Sequence, residues 1–176
     1  MPHPLVLQLR FTRSEFQRAF VGVSDDDARR RFAPMNCIAW NVGHLAWQEQ
    51  SYLMWVGQDR MLYPNIDEQF VTGAPASEPA LSEMWAAWHA ITEELDPWLD
   101  TLTSSALAAP RQINLGNRMI PFTIGTNLQR VVYHYWYHTG ENCAIRQLLG
   151  HSNIPQFVGD IDRQAPYQAE EAPLQS

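Results

Sequence analysis

The segment from Thr123 to Leu149 constrains this chain most, because it holds a helical period without a break. Thr123 is a candidate N-cap, and Gly150 supplies a C-terminal stop. At ~1.5 Å per residue such a helix runs ~40 Å, long enough to span a domain of this size. Three other segments carry apolar residues at helical spacing. The first runs from Pro4 to Phe20, with Leu5, Leu9, Phe16 and Phe20 on one stripe. The second follows Pro34, with Asn36 as its expected cap and Gly57 as its expected end. The third runs from about Ala80 to Leu102, and Pro97 inside it predicts a kink or an early end. A short helix or turn is expected from Ser24, a candidate N-cap, to Arg31. The connection from Gln58 to Pro79 is long enough to be functional or ordered by its own contacts. In QINLGNRMIPF, residues Ile113, Leu115 and Met119 around Gly116-Asn117 predict a short hairpin. The fold class expected is therefore all-α, a four-helix bundle with long inter-helix connections. One domain is expected over residues 1–163, followed by an irregular tail at 164–176 that contains Pro166 and Pro173.

The sequence contains no lysine, so all 12 basic residues are arginines. That rules out Schiff-base lysines, lysine-anchored pyridoxal phosphate and the P-loop lysine. The net charge is -7 and no basic cluster stands alone, so neither nucleic acid nor an anionic membrane is an expected partner. Arg29, Arg30 and Arg31 directly follow Asp25, Asp26 and Asp27, which compensate them locally. No apolar run approaches the ~20 residues of a membrane span. MPHPLVLQLRF lacks the pattern of a signal peptide. Cys37 and Cys143 are too few for a disulfide framework. The expected setting is cytoplasmic. The many aromatic residues point to a homodimer, and Trp136, facing away from the histidines discussed next, is expected to meet the first helix or another subunit.

Residues 134–146 read HYWYHTGENCAIR. Residues four apart on a helix lie ~40° apart, so His134 and His138 share a face with the apolar Val131, Ile145 and Leu149. In a bundle that stripe turns inward. Buried imidazoles need partners, since an unsatisfied polar group in a core costs ~1–3 kcal/mol. One solution is hydrogen bonding within the core. The other is a metal, which two histidines at i and i+4 can clamp. The slot after His134 holds Tyr135 rather than Glu, so this is not the zincin motif. In NCIAWNVGH, His44 shares a largely apolar face with Cys37, Trp47, Ser51 and Trp55, so it also turns inward. Three inward histidines from two helices can hold one divalent ion and leave a position open. Glu141 lies ~20° from His134 on the wheel and is a candidate general base or acceptor for an imidazole N–H. Asn142 and Gln48 are candidates for the open side, and Trp40, Trp47 and Trp55 for pocket walls. His89 is expected at a surface, and His3 and His151 are expected to be solvated. The two cysteines are expected to serve packing.

NVGHL and HYWYHTGENCAIRQLLGH resemble the corresponding stretches of the DinB-like, or YfiT-like, metal-binding four-helix bundles, and the resemblance covers Leu5 to Asp162. It implies a three-histidine site made of His44, His134 and His138. That family includes thiol-dependent transferases, such as bacillithiol and mycothiol enzymes, and a maleylpyruvate isomerase activity. The expected ion is a divalent transition metal, Zn²⁺ or Ni²⁺, with Fe²⁺ also admitted. The function expected is a metal-dependent transferase or hydrolase that activates a water or a low-molecular-weight thiol on a small-molecule substrate. The alternative is a metal- or small-ligand-binding stress or sensor protein without catalysis.

Overall fold

A computed structural model describes residues 1–115, 118–156 and 158–168. In chain order the elements are α1 (Pro4–Arg18), α2 (Asp25–Arg29), α3 (Ile38–Glu49), a π-helical segment (Gln50–Trp55), α4 (Val56–Gln58) and α5 (Ile66–Phe70). Then come α6 (Leu81–Leu99), α7 (Ser104–Ala108), β1 (Arg111–Leu115), β2 (Arg118–Phe122), α8 (Ile124–Leu148) and α9 (Ile161–Gln164). Among the described residues the protein is mostly helical, with one antiparallel hairpin in which Leu115 faces Arg118 and Arg111 faces Phe122. The hairpin stands where the turn chemistry places it, although its tip at Gly116-Asn117 lies outside the described residues. An all-α class therefore omits this one sheet. Of the expected irregular tail, Gln164 closes α9, and residues 169–176 lie outside the described residues.

Helix α3 lies at the centre. Each of its residues is buried, because α2, α5, α6 and α8 surround it. Helix α6 packs along α3, while α8 packs against both α1 and α3. Helical spacing predicts one inward face for α3; in the structure the helix has no outward one. Its only charged residue, Glu49, is neutralised by Arg13 of α1.

Side-chain caps close the N-termini of α1, α2, α3, α7 and α8. Thr123 accepts from the Thr126 N–H and Ser24 from the Asp27 N–H. Gly150 adopts φ 81°, the left-handed conformation that favours glycine after a helix. Pro97 sits in the last turn of α6, so its cost falls where the helix ends anyway. Two boundaries differ from expectation. Cys37, not Asn36, caps α3, its Sγ accepting from the Trp40 N–H at 3.4 Å. The second segment also does not end at Gly57: the chain passes through the π-helical segment and stops at Asp59, φ 56°. The wider π turn leaves Gln50 buried, with its side chain aimed at the 58–79 connection. Gln50 Oε1 accepts from the N–H groups of Leu62 (2.8 Å) and Tyr63 (2.9 Å), and its Nε2 donates to the Tyr63 carbonyl (3.0 Å). That clamp precedes α5, which delivers Phe70 to the site described next. Trp136 does meet the first helix, its ring 6.3 Å from that of Phe11.

Candidate metal centre

Helix α3 supplies His44 as a ring held on three sides. Trp40, one turn before it, stacks at 4.8 Å and 18°; Trp47, one turn after it, stacks at 5.1 Å and 21°. The third constraint is the Phe70 carbonyl at the end of α5, 2.6 Å from His44 Nδ1. A carbonyl only accepts, so Nδ1 carries the proton and Nε2 presents a lone pair. Gly43 makes this approach possible. A Cβ there would lie 2.8 Å from Phe70 Cε1 and 2.6 Å from Met84 Sδ, inside van der Waals contact. The glycine before the first histidine thus serves the hydrogen bond that orients that histidine.

Helix α8 supplies the other two rings. His138 Nδ1 lies 2.7 Å from Glu141 Oε2, one turn further along. The carboxylate accepts that proton and leaves Nε2 bare. Asn41 of α3 ties the two helices together, its Nδ2 donating to Glu141 Oε2 (3.2 Å) and to Asn142 Oδ1 (2.8 Å). His134 Nε2 lies 3.3 Å from His44 Nε2 and 3.0 Å from His138 Nε2. The ligand nitrogens of the three residues all lie within 4.8 Å of one another. Nitrogens bound tetrahedrally at ~2.0–2.1 Å to one zinc stand ~3.3 Å apart, so the cluster has the dimensions of a three-imidazole site.

The protons do not suffice for a hydrogen-bonded core. His44 and His138 each point a lone pair at His134 Nε2. Neutral His134 carries one proton. Placed on Nε2, it serves one neighbour and leaves the other lone pair, and Nδ1, without a partner. Placed on Nδ1, it leaves three lone pairs converging. His134 Nδ1 is itself buried with no hydrogen bond among the described residues. A divalent cation satisfies all three converging lone pairs at once. The donor set therefore fits a metal ion, and the cluster could hold one.

Two of the rings are kept in the form that binds metal. Burial pushes the pKa of His44 down to about 4; the charge of His138 adds to this, against the Phe70 carbonyl and Glu141. Burial pushes His134 down to about 3, with His138 and His44 adding to it. Both are neutral at pH 7, as ligation requires.

Other candidates take lesser places. Glu141 reaches the cluster as an acceptor for His138. Asn142 is buried and faces Asn41, and Gln48 is buried. Burial raises the pKa of both cysteine thiols, so neither offers a thiolate. His89 is exposed. His3 caps α1 by accepting from the Leu5 N–H. His151 is not simply solvated: it pairs with Asp27 at 3.3 Å and accepts from Arg146 Nε at 3.2 Å. Sequence reasoning missed Asn41 and Phe70. Asn41 lies one turn before His44 and could have been found on the same wheel, whereas a carbonyl contributed by another element has no signature in the sequence.

The sequence model of the DinB superfamily matches residues 8–142, a span that takes in all three histidines and Glu141. The chain belongs to that superfamily. No curated protein matches it.

Proposed function

We propose that this DinB-superfamily protein is a metal-dependent enzyme in which His44, His134 and His138 hold one divalent ion, Zn²⁺ or Ni²⁺ foremost. The observation that carries this reading is the convergence of three imidazole rings on one point, two of them, His44 and His134, held neutral by burial. The wider reading is a four-helix bundle domain over residues 1–163, acting on a small electrophilic substrate with water or a low-molecular-weight thiol as nucleophile. A bound ion supplies Lewis acidity, which makes either nucleophile usable near neutral pH. The chain does the rest. Phe70 and Glu141 fix the protons on His44 Nδ1 and His138 Nδ1. Trp40 and Trp47 keep water from both faces of His44. Glu141 Oε2 is committed to His138 and Asn41, and Oε1, on a partly exposed side chain, is the atom assigned here to take up a proton. Tyr133 and Tyr137, 68% and 70% exposed beside the site, suit a homodimer contact.

The test is turnover. Protein stripped with a chelator and reloaded with Zn²⁺ or Ni²⁺ is assayed against small electrophiles, with and without a low-molecular-weight thiol. The expected result is metal-restored turnover that His138→Ala abolishes. Tight stoichiometric metal with no turnover of any substrate would support the non-catalytic reading instead.

A further inference from the structure

A cavity of ≈510 Å³ opens beside the histidine cluster, within the ~300–1,000 Å³ typical of small-ligand sites. Its walls are largely apolar. Trp47, Tyr52 and Trp55 come from α3 and the π-helical segment, Ile120 and Phe122 from the hairpin, and Arg130 from α8. Trp47 is the indole stacked on His44, so the cavity and the cluster share a wall. Arg130 lies one turn before His134 and also lines the shallow groove that contains His134, so the groove meets the cavity there. Its guanidinium carbon stands 5.8 Å from the centroid of the Tyr52 ring. Among the described residues it forms no ion pair. Asp67, the acidic group on the lining, accepts from Ser51 Oγ at 3.2 Å. An aromatic-walled chamber whose guanidinium, at the junction with the site, forms no ion pair among the described residues suits a flat apolar body with an anionic end. An arginine recognises a carboxylate through its fork of N–H donors.

We propose that this cavity binds a small aromatic carboxylate, with the ring among Trp47, Tyr52 and Trp55 and the carboxylate on Arg130. The assignment names a substrate class for the reading above and rests on that reading for its catalytic meaning; the binding itself requires no metal.

The experiment is calorimetric titration of the full chain, metal-stripped and Zn²⁺-loaded, with 2-naphthoate, its neutral carboxamide and the corresponding amine. The expected result is naphthoate bound at least tenfold more tightly than the carboxamide, as a charge-assisted hydrogen bond gives. Arg130→Gln, at an exposed position, should erase that preference and leave Zn²⁺ binding unchanged. No naphthoate binding at millimolar concentration, equal binding of the carboxamide, tighter binding of the amine, or a preference that survives Arg130→Gln would each overturn the proposal. Naphthoate binding by a protein that takes up no Zn²⁺ would sustain the cavity assignment and sink the metal reading. Zn²⁺ uptake without naphthoate binding would do the reverse.

Discussion

Two buried polar clusters sit on the same pair of helices, α3 and α8, and they are built on opposite principles. The first joins Glu49 and Tyr135 to Arg13 and Trp88. Glu49 Oε1 accepts from Arg13 Nε (2.7 Å) and Tyr135 Oη (2.7 Å), and Glu49 Oε2 accepts from Arg13 as well. Arg13 donates onward to Asp96 (2.9 Å), and Trp88 Nε1 donates to Tyr135 Oη (2.5 Å). Donors and acceptors match, and the group is closed. Burial works against the Arg13 charge, but Glu49 beside it holds the guanidinium above its ordinary pKa. Burial and Glu49 together raise Tyr135. The second cluster, His44, His134 and His138, has converging acceptors and too few protons. Tyr135 and His134 are neighbours in sequence, yet the ~100° step of the helix sends one into the closed network and the other into the open one. A core tolerates buried polar groups when they satisfy each other; a set left short of protons is shaped for something else.

The sharpest way to break the contrast is to open the closed cluster. Glu49→Ala leaves the buried Arg13 charge with the partly exposed Asp96 as its remaining partner and should cost about 3 kcal/mol, read as a fall in unfolding midpoint with or without metal. A loss below about 1 kcal/mol would mean that the network is not the closed structural unit described. The open cluster should respond in the reverse manner. His138→Ala should leave the metal-free protein nearly as stable as the parent. It should also remove the gain that Zn²⁺ confers, about 2.7 kcal/mol at a hundredfold excess over Kd. Thermal unfolding with and without Zn²⁺ reads both effects.

Glu141→Gln retains an oxygen acceptor but removes the charge that fixes the His138 proton. Metal affinity should fall about 10–100-fold, as loss of such a supporting carboxylate does elsewhere, while the fold is kept; competition with a chelating dye measures it. An unchanged affinity would free Glu141 from this role. The smallest effect is on pH. The folded pKa values of His44 and His134 lie at about 4 and about 3, below the unfolded value of ~6.5. Between those limits the unfolded chain binds more protons, so metal-free stability should fall as pH drops below ~6.5. Carboxylates contribute to the same trend, so the diagnostic is the difference from His134→Phe, whose slope between pH 6.5 and 4.5 should be shallower.

Much of this was legible in the sequence, and what was legible was local. The caps Ser24 and Thr123 and the stop at Gly150 act within a turn of themselves. The spacing of His134, His138 and Glu141 needs only the 3.6-residue period. His44 followed from an apolar face, but its partner could not, because the Phe70 carbonyl arrives from a short helix inside the 58–79 connection. The π-helical segment has no such signal, because no residue type marks its wider turn. Cys37 takes the cap from Asn36 because its extended backbone, φ -83° and ψ 164°, directly precedes the first helical turn. Arg13 on the first helix gave no sign of its bond to Glu49, 36 positions on.

X-ray absorption at the zinc edge on the Zn²⁺-loaded full chain tests the central claim most directly. One ion per chain with three imidazole nitrogens at ~2.0–2.1 Å is the expected result, with fewer in His44→Ala. A shell containing sulfur, a spectrum with no imidazole scattering, or one unchanged by His44→Ala would contradict it.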